Sequence, residues 1–244
     1  MNIDFAATSH LGFIMGYSPK LVIIFIVTAI VSWLVSHTMK RRFTEYSQIP
    51  VRYSGAQIAQ MMLSENGIND VQVISTPGKL TDHYDPKTRT VNLSESVYGM
   101  HTIAAAAVAA HECGHAVQHQ KAYAWLTMRS KMVPAVQFAG TTLNFIMIAG
   151  MLGAIMFNTP AILFIWVGLF ALTTLFSFVT LPVEFDASKR ALTWLEHSGV
   201  SSSMDHDKAK NALFWAAMTY VVAAIGSLAM LLYYISMLLG RREQ

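Results

Sequence analysis

Apolar residues run almost unbroken through positions 21–35, 135–157, 161–181 and 213–239. The last three reach or exceed the roughly 20 residues that a helix needs to cross a bilayer. The first extends back towards Leu11 and ends in Lys40-Arg41-Arg42. It is too long for a signal-peptide core, and no small-residue cleavage site follows, so it reads as a membrane helix. Only Asn158-Thr159-Pro160 separates the second and third stretches, which predicts a tight membrane hairpin returning the chain to the side it left.

Between the first and second stretches the pattern changes. Ser54-x-x-Gln57 is a capping-box start and Gly67 a stop, predicting a helix over 54–65. Residues 71–74 alternate like a strand, and Thr76-Pro77-Gly78 is a turn. Residues 79–84, the turn Asp85-Pro86-Lys87-Thr88 and the alternating 89–93 predict a β-hairpin. Residues 94–99 lead to Thr102, which can cap a helix over 103–120 favoured by its alanines. After the third apolar stretch, Pro182 is placed to open a separate helix over 183–197, stopped by Gly199, and 201–210 is a polar connector. The expected segments are 1–42, the first transmembrane helix with its basic flank; 43–131, a soluble subdomain; 132–181, the hairpin; 182–210; and 211–244, the last transmembrane helix.

Composition agrees with a membrane protein. Of 244 residues, 54% are hydrophobic and only 13% charged, about half the share usual in soluble domains. Mean hydropathy is +0.42. The net charge of +3 reflects loop bias, since no basic block with interleaved aromatics suggests a nucleic-acid surface. Lys40, Arg41, Arg42, Lys189, Arg190, Lys208 and Lys210 would lie on one side, against Lys20, Arg241 and Arg242 on the other. The positive-inside rule places the first group in the cytoplasm. A single cysteine excludes an intrachain disulfide.

Within the 103–120 helix stands His111-Glu112-Cys113-Gly114-His115. Histidines four apart lie about 40° apart around a helix, so both imidazoles reach one ion. Glu112 sits where it can touch a water on that ion. Zinc suits imidazole and carboxylate, and a catalytic site keeps one position open. Cys113 lies about 200° from His111 and reads as core packing.

A third protein ligand is required. A third histidine at the spacing His-Glu-x-x-His-x-x-Gly-x-x-His is excluded, because position 118 is Gln and position 121 is Lys. His119 reads as an outer partner or a solvated helix end rather than a ligand. Glu184 is better placed, at the point where the hairpin returns. Asp186 lies about 200° round from it and has Arg190 four residues on, a pairing that suits an outward face. The bland reading of Glu184 is a carboxylate favoured by the first turn of its helix, and Glu196, Asp205 and Asp207 remain weaker options.

The stretch HTIAAAAVAAHECGHAVQHQ, followed after two spans by LPVEFDASKRAL, resembles the YugP-type membrane zinc metallopeptidases over nearly the whole chain. It is also similar to the HtpX-like and CAAX prenyl protease families, of which it looks like a shortened relative. The resemblance implies His111, His115 and Glu184 as ligands of one Zn2+ and Glu112 as catalytic base. It departs from the HtpX-like pattern in one place: Ser188 stands where those proteins carry Asp, so the carboxylate that steadies the metal site is missing or moved, Asp186 being the candidate.

The expected fold is mainly α and integral to the membrane, with about four transmembrane helices and a small α+β cytoplasmic zincin-like domain carrying the metal helix. The expected activity is that of a gluzincin-type metalloendopeptidase in the cell (inner) membrane. Its partners would be protein or peptide substrates, membrane proteins among them, and the lipid bilayer. Residues 89–93 would be either an edge strand to which substrate adds or a strand that only packs the domain. A Tyr or His would stabilise the oxyanion, with His206, Tyr123, His83 and Tyr220 as candidates. A zinc-binding scaffold without activity is the rival class, with His119 as a fourth, closing ligand, although such a site needs no Glu112. Transport is disfavoured, because the apolar stretches 135–157, 161–181 and 213–239 contain no Asp, Glu, Lys or Arg.

Overall fold

The computed structural model of the protein describes residues 18–151, 160–200 and 203–240. In chain order its elements are α1 (Pro19–Tyr46), α2 (Gly55–Glu65), β1 (Gln72–Thr76), β2 (His83–Asp85), β3 (Thr90–Ser94), α3 (Glu95–Tyr98), α4 (Ile103–Gln120), α5 (Ala124–Met151), α6 (Pro160–His197) and α7 (Ser203–Gly240). Helices α1, α5, α6 and α7 each contain a stretch long and apolar enough to cross a membrane. The tight turn expected at 158–160 falls largely, and Arg241-Arg242 entirely, outside the described residues, as does the extension of α1 towards Leu11.

Three helices are longer than the sequence pattern predicts. Helix α6 runs unbroken through Pro182, so the separate helix expected at 183 does not exist. Proline's fixed φ is itself helical and removes one N–H donor, and a long helix with its remaining ladder intact tolerates that loss. Helix α7 likewise absorbs the described part of the expected connector, and α5 begins at Ala124, only three residues after α4 ends.

The chain divides into two compact units. One draws on the described residues of Met1–Leu34, Met132–Phe178 and Val221–Gln244. Its helices turn large apolar side chains outward, among them Phe25, Phe138, Phe145 and Ile225. That is the arrangement a lipid solvent allows. Inside it, a Cβ on Gly226 would lie 2.5 Å from Thr28 Cγ2, so α1 and α7 approach closely there.

The second unit comprises Val35–Lys131 and Val179–Tyr220. Ser54 and Gln57 form the expected capping box on α2, and Gly67 takes the left-handed φ of +70° that ends it. Thr102 caps α4 through Ala105 N–H. The alanine face of α4, from Ala104 to Ala110, is buried against Ile58, Ala59 and Met62 of α2, Val91 and Leu93 of β3, and Leu195 of α6. As expected, Cys113 lies in this core, with its thiol on Ala59 C=O, and burial pushes its pKa up.

The sheet corrects one expectation. Its order is β1-β3-β2, with β3 parallel to β1 and antiparallel to β2. The β2–β3 hairpin exists, but β3 is the central strand and cannot accept a further strand. The free edge beside α4 is β2. Alternation concerns the two faces of a strand, both of which are buried in β3, and carries no information about neighbours in the plane of the sheet.

Candidate metal and catalytic centre

Helix α4 carries His111 and His115 one turn apart, their rings edge to face at 4.9 Å. Helix α6 brings Glu184 between them. Its Oε2 lies 3.2 Å from His111 Nε2 and 3.6 Å from His115 Nε2. The three ligand atoms lie within 4.8 Å of one another, and Glu184 and His115 are buried. Among the described residues, this is the one such group of histidine, cysteine or carboxylate side chains. Glu196, Asp205 and Asp207 take no part in it.

The close approach of the two helices has a specific cause. A Cβ on Gly114 would sit 2.6 Å from Ala187 O and 3.1 Å from Ala187 C and Cα, all backbone atoms. Only glycine lets α6 lie this close to α4, and Glu184 is one turn away from that contact.

The donor set fits a zinc ion. Both histidines turn Nε2 inward while their outer nitrogens are engaged: His111 Nδ1 with Ser188 Oγ at 3.1 Å and His115 Nδ1 with Gln118 Oε1 at 3.0 Å. Two imidazoles and one carboxylate converging with their outer nitrogens held is the arrangement expected of a catalytic zinc site. The electrostatics agree. Burial disfavours a charged His115, but the Glu184 carboxylate, helped by Glu112 and Gln118, outweighs it and raises the imidazole pKa.

Glu112 stands apart from these three. Its Oε2 accepts a hydrogen bond from Tyr84 N–H on β2 at 3.1 Å, and its side chain is buried. The Tyr84 hydroxyl bonds His119 Nδ1 at 2.8 Å, so His119 ties the edge strand to α4 and does not belong to the ligand group. That removes the fourth ligand which a closed structural site would have used.

Asp186 pairs with Arg190 at 2.6 Å, as its spacing predicts, but it is not simply outward, since it also accepts from Gln118 Nε2 at 2.8 Å. The Asp186 carboxylate is thus near the site, reached through an amide. Arg129 lies 3.5 Å from the second oxygen of Glu184. Sequence reasoning passed over Arg129, Gln118, Gly114 and Tyr84. The available signals were a lone cation just before an apolar span, a glutamine on the buried side of the metal helix and a glycine inside the motif.

The four oxyanion candidates separate. The His83 ring bonds the neighbouring Thr81 carbonyl, Tyr123 lies beside the Arg190 guanidinium, and His206 lines a groove with Phe185 and Lys210. Tyr220 lies within electrostatic reach of Glu184, Arg129 and Glu112 together.

The family model described as "Putative neutral zinc metallopeptidase" matches residues 21–239. The chain is 37% identical over 215 residues, 87% of its length and 94% of the relative's, to "Putative membrane protease YugP" of Bacillus subtilis (strain 168). No solved structure gives a significant match.

Proposed function

Because the chain belongs to this family of neutral zinc metallopeptidases, we propose that it is a membrane endopeptidase in which His111, His115 and Glu184 hold one zinc ion and Glu112 is the general base. The observation that carries this reading is the convergence of two Nε2 atoms and one carboxylate oxygen within 4.8 Å, with Glu112 beside them but outside the group. A zinc ion held there would supply Lewis acidity, polarising a peptide carbonyl and making water nucleophilic near neutral pH. Glu112 takes the proton of the attacking water and delivers it to the leaving amine. Tyr220 donates its hydroxyl to the developing oxyanion.

The substrate is an extended segment of an unfolded or membrane protein, added to the free edge of β2. In the antiparallel ladder the Tyr84 N–H faces away from β3 towards Glu112. Backbone pairing along that edge would thus lay a scissile bond next to the base. The basic cluster Lys40-Arg41-Arg42 supports a site at the cytoplasmic face of the cell membrane, reached by a multi-pass chain.

Purified full-length protein in detergent should cleave casein or an unfolded membrane protein, lose that activity on chelation and regain it with stoichiometric zinc. Proteolysis that survives complete zinc removal contradicts the proposal. Glu184→Ala takes the carboxylate from between the imidazoles and leaves Arg129 facing them, so zinc retained through purification should fall from near one per chain to a few per cent. Glu196→Ala should leave the zinc content unchanged, and a loss of zinc in that variant instead would transfer the ligand role.

A further inference from the structure

Gln118 is wholly buried, with 0% of its surface exposed. An amide in that position is costly unless each polar atom has a partner. Its nitrogen reaches Val183 C=O at 2.7 Å and Asp186 Oδ2 at 2.8 Å. Both are acceptors: one is a carbonyl, and the other a carboxylate that itself accepts from Arg190 Nε at 2.6 Å. Two acceptors consume both amide hydrogens, so the oxygen of Gln118 must be the atom facing His115 Nδ1 at 3.0 Å. An oxygen there can only accept. His115 therefore carries a proton on Nδ1, and Nε2 is the atom turned towards Glu184.

On the zinc reading above, we propose that Gln118 and Asp186 are positioning residues for the metal site, forming a relay from His115 Nδ1–H through the Gln118 amide to the Asp186 carboxylate. The relay sets the tautomer and ring orientation of His115. The same amide grips Val183 C=O, one residue before Glu184, so a single side chain fixes one ligand on α4 and the turn of α6 that delivers another. This also accounts for Ser188. A carboxylate is not needed behind His111, because the negative charge acts from Asp186 on the other histidine, with a neutral amide between. Ser188 Oγ at 3.1 Å is a sufficient acceptor for His111.

The test is zinc affinity, measured by chelator competition on full-length protein in detergent, with metal-free thermal unfolding recorded in parallel. Gln118→Met keeps length and volume but loses all three hydrogen bonds, and should weaken zinc binding on the order of 10- to 100-fold. Asp186→Asn removes the charge at a partly exposed site and should also weaken it, by a smaller factor. In the double variant the losses should not add: affinity should match Gln118→Met alone, because Asp186 acts on the metal only through Gln118. A purely structural role predicts additive losses, and additivity overturns the relay. Wild-type affinity in Asp186→Asn overturns it too, even if Gln118→Met does not fold. Wild-type protein that binds no zinc would instead remove the zinc reading on which the relay rests, so the two failures are distinct.

Discussion

Glu112→Gln is expected to keep its zinc and lose proteolysis by at least about 10³-fold, within the range that general acid–base catalysis contributes. Glu112 lies outside the three-atom ligand group, so zinc content should stay near one per chain. The substituted amide retains an oxygen that can accept from Tyr84 N–H, the one hydrogen bond the Glu112 side chain makes among the described residues, so the fold and the edge strand should be undisturbed. What the variant lacks is a group that can take a proton from water. Zinc content by atomic absorption and cleavage rate on the same preparation decide the matter. A variant with full zinc and undiminished cleavage rules out Glu112 as the base.

Gly114→Ala should be as damaging by a different route. In an ordinary helix this change stabilises, by about 1 kcal/mol, because alanine has the higher helix propensity. Here the added Cβ meets three backbone atoms of Ala187, the nearest at 2.6 Å. No side chain can swing aside, so α4 and α6 must separate. Overpacking of this kind costs roughly 1–3 kcal/mol. The displacement reaches Glu184, one turn from Ala187, and pulls its carboxylate away from the two imidazoles. The expected result is a lower unfolding temperature together with zinc affinity reduced by about 100-fold or more. Gly140→Ala is the control: its Cβ would meet nothing within 4 Å, so it should leave zinc affinity unchanged and should not lower the unfolding temperature. Gly114→Ala with wild-type melting and zinc binding would show that the helices can part without consequence for the site.

Several local features were readable in advance, and each rests on an interaction of short range. The capping box at Ser54 and Gln57, the left-handed Gly67 and the Thr102 cap involve residues three or fewer positions apart, or a single backbone conformation. The β2–β3 hairpin is of the same kind. Pro182 shows where local reasoning fails. A proline after an apolar run is a common start signal, yet α6 continues through it, since one missing hydrogen bond does not end a long helix with an otherwise intact ladder. The place of β3 at the centre of the sheet is a second case, because β1 pairs with it only after the chain has passed through β2.

By itself, then, the sequence determined the long apolar helices, the two histidines on one helix face and the chemistry that their neighbour Glu112 can perform. These follow from hydropathy summed over a span and from the period of 3.6 residues, both properties of contiguous chain. Glu184 was foreseeable as a suitable carboxylate, but only the tertiary structure put it against the imidazoles, 73 residues from His111. The same is true of Ser188 behind His111, Gln118 between His115 and Asp186, and Tyr84 over Glu112, with separations of 77, 68 and 28 residues along the chain. Such contacts depend on how closely two helices pack and which strand edge is left open. A glycine that admits a neighbouring backbone decides the first, and strand order decides the second. Neither leaves a periodic trace in the sequence.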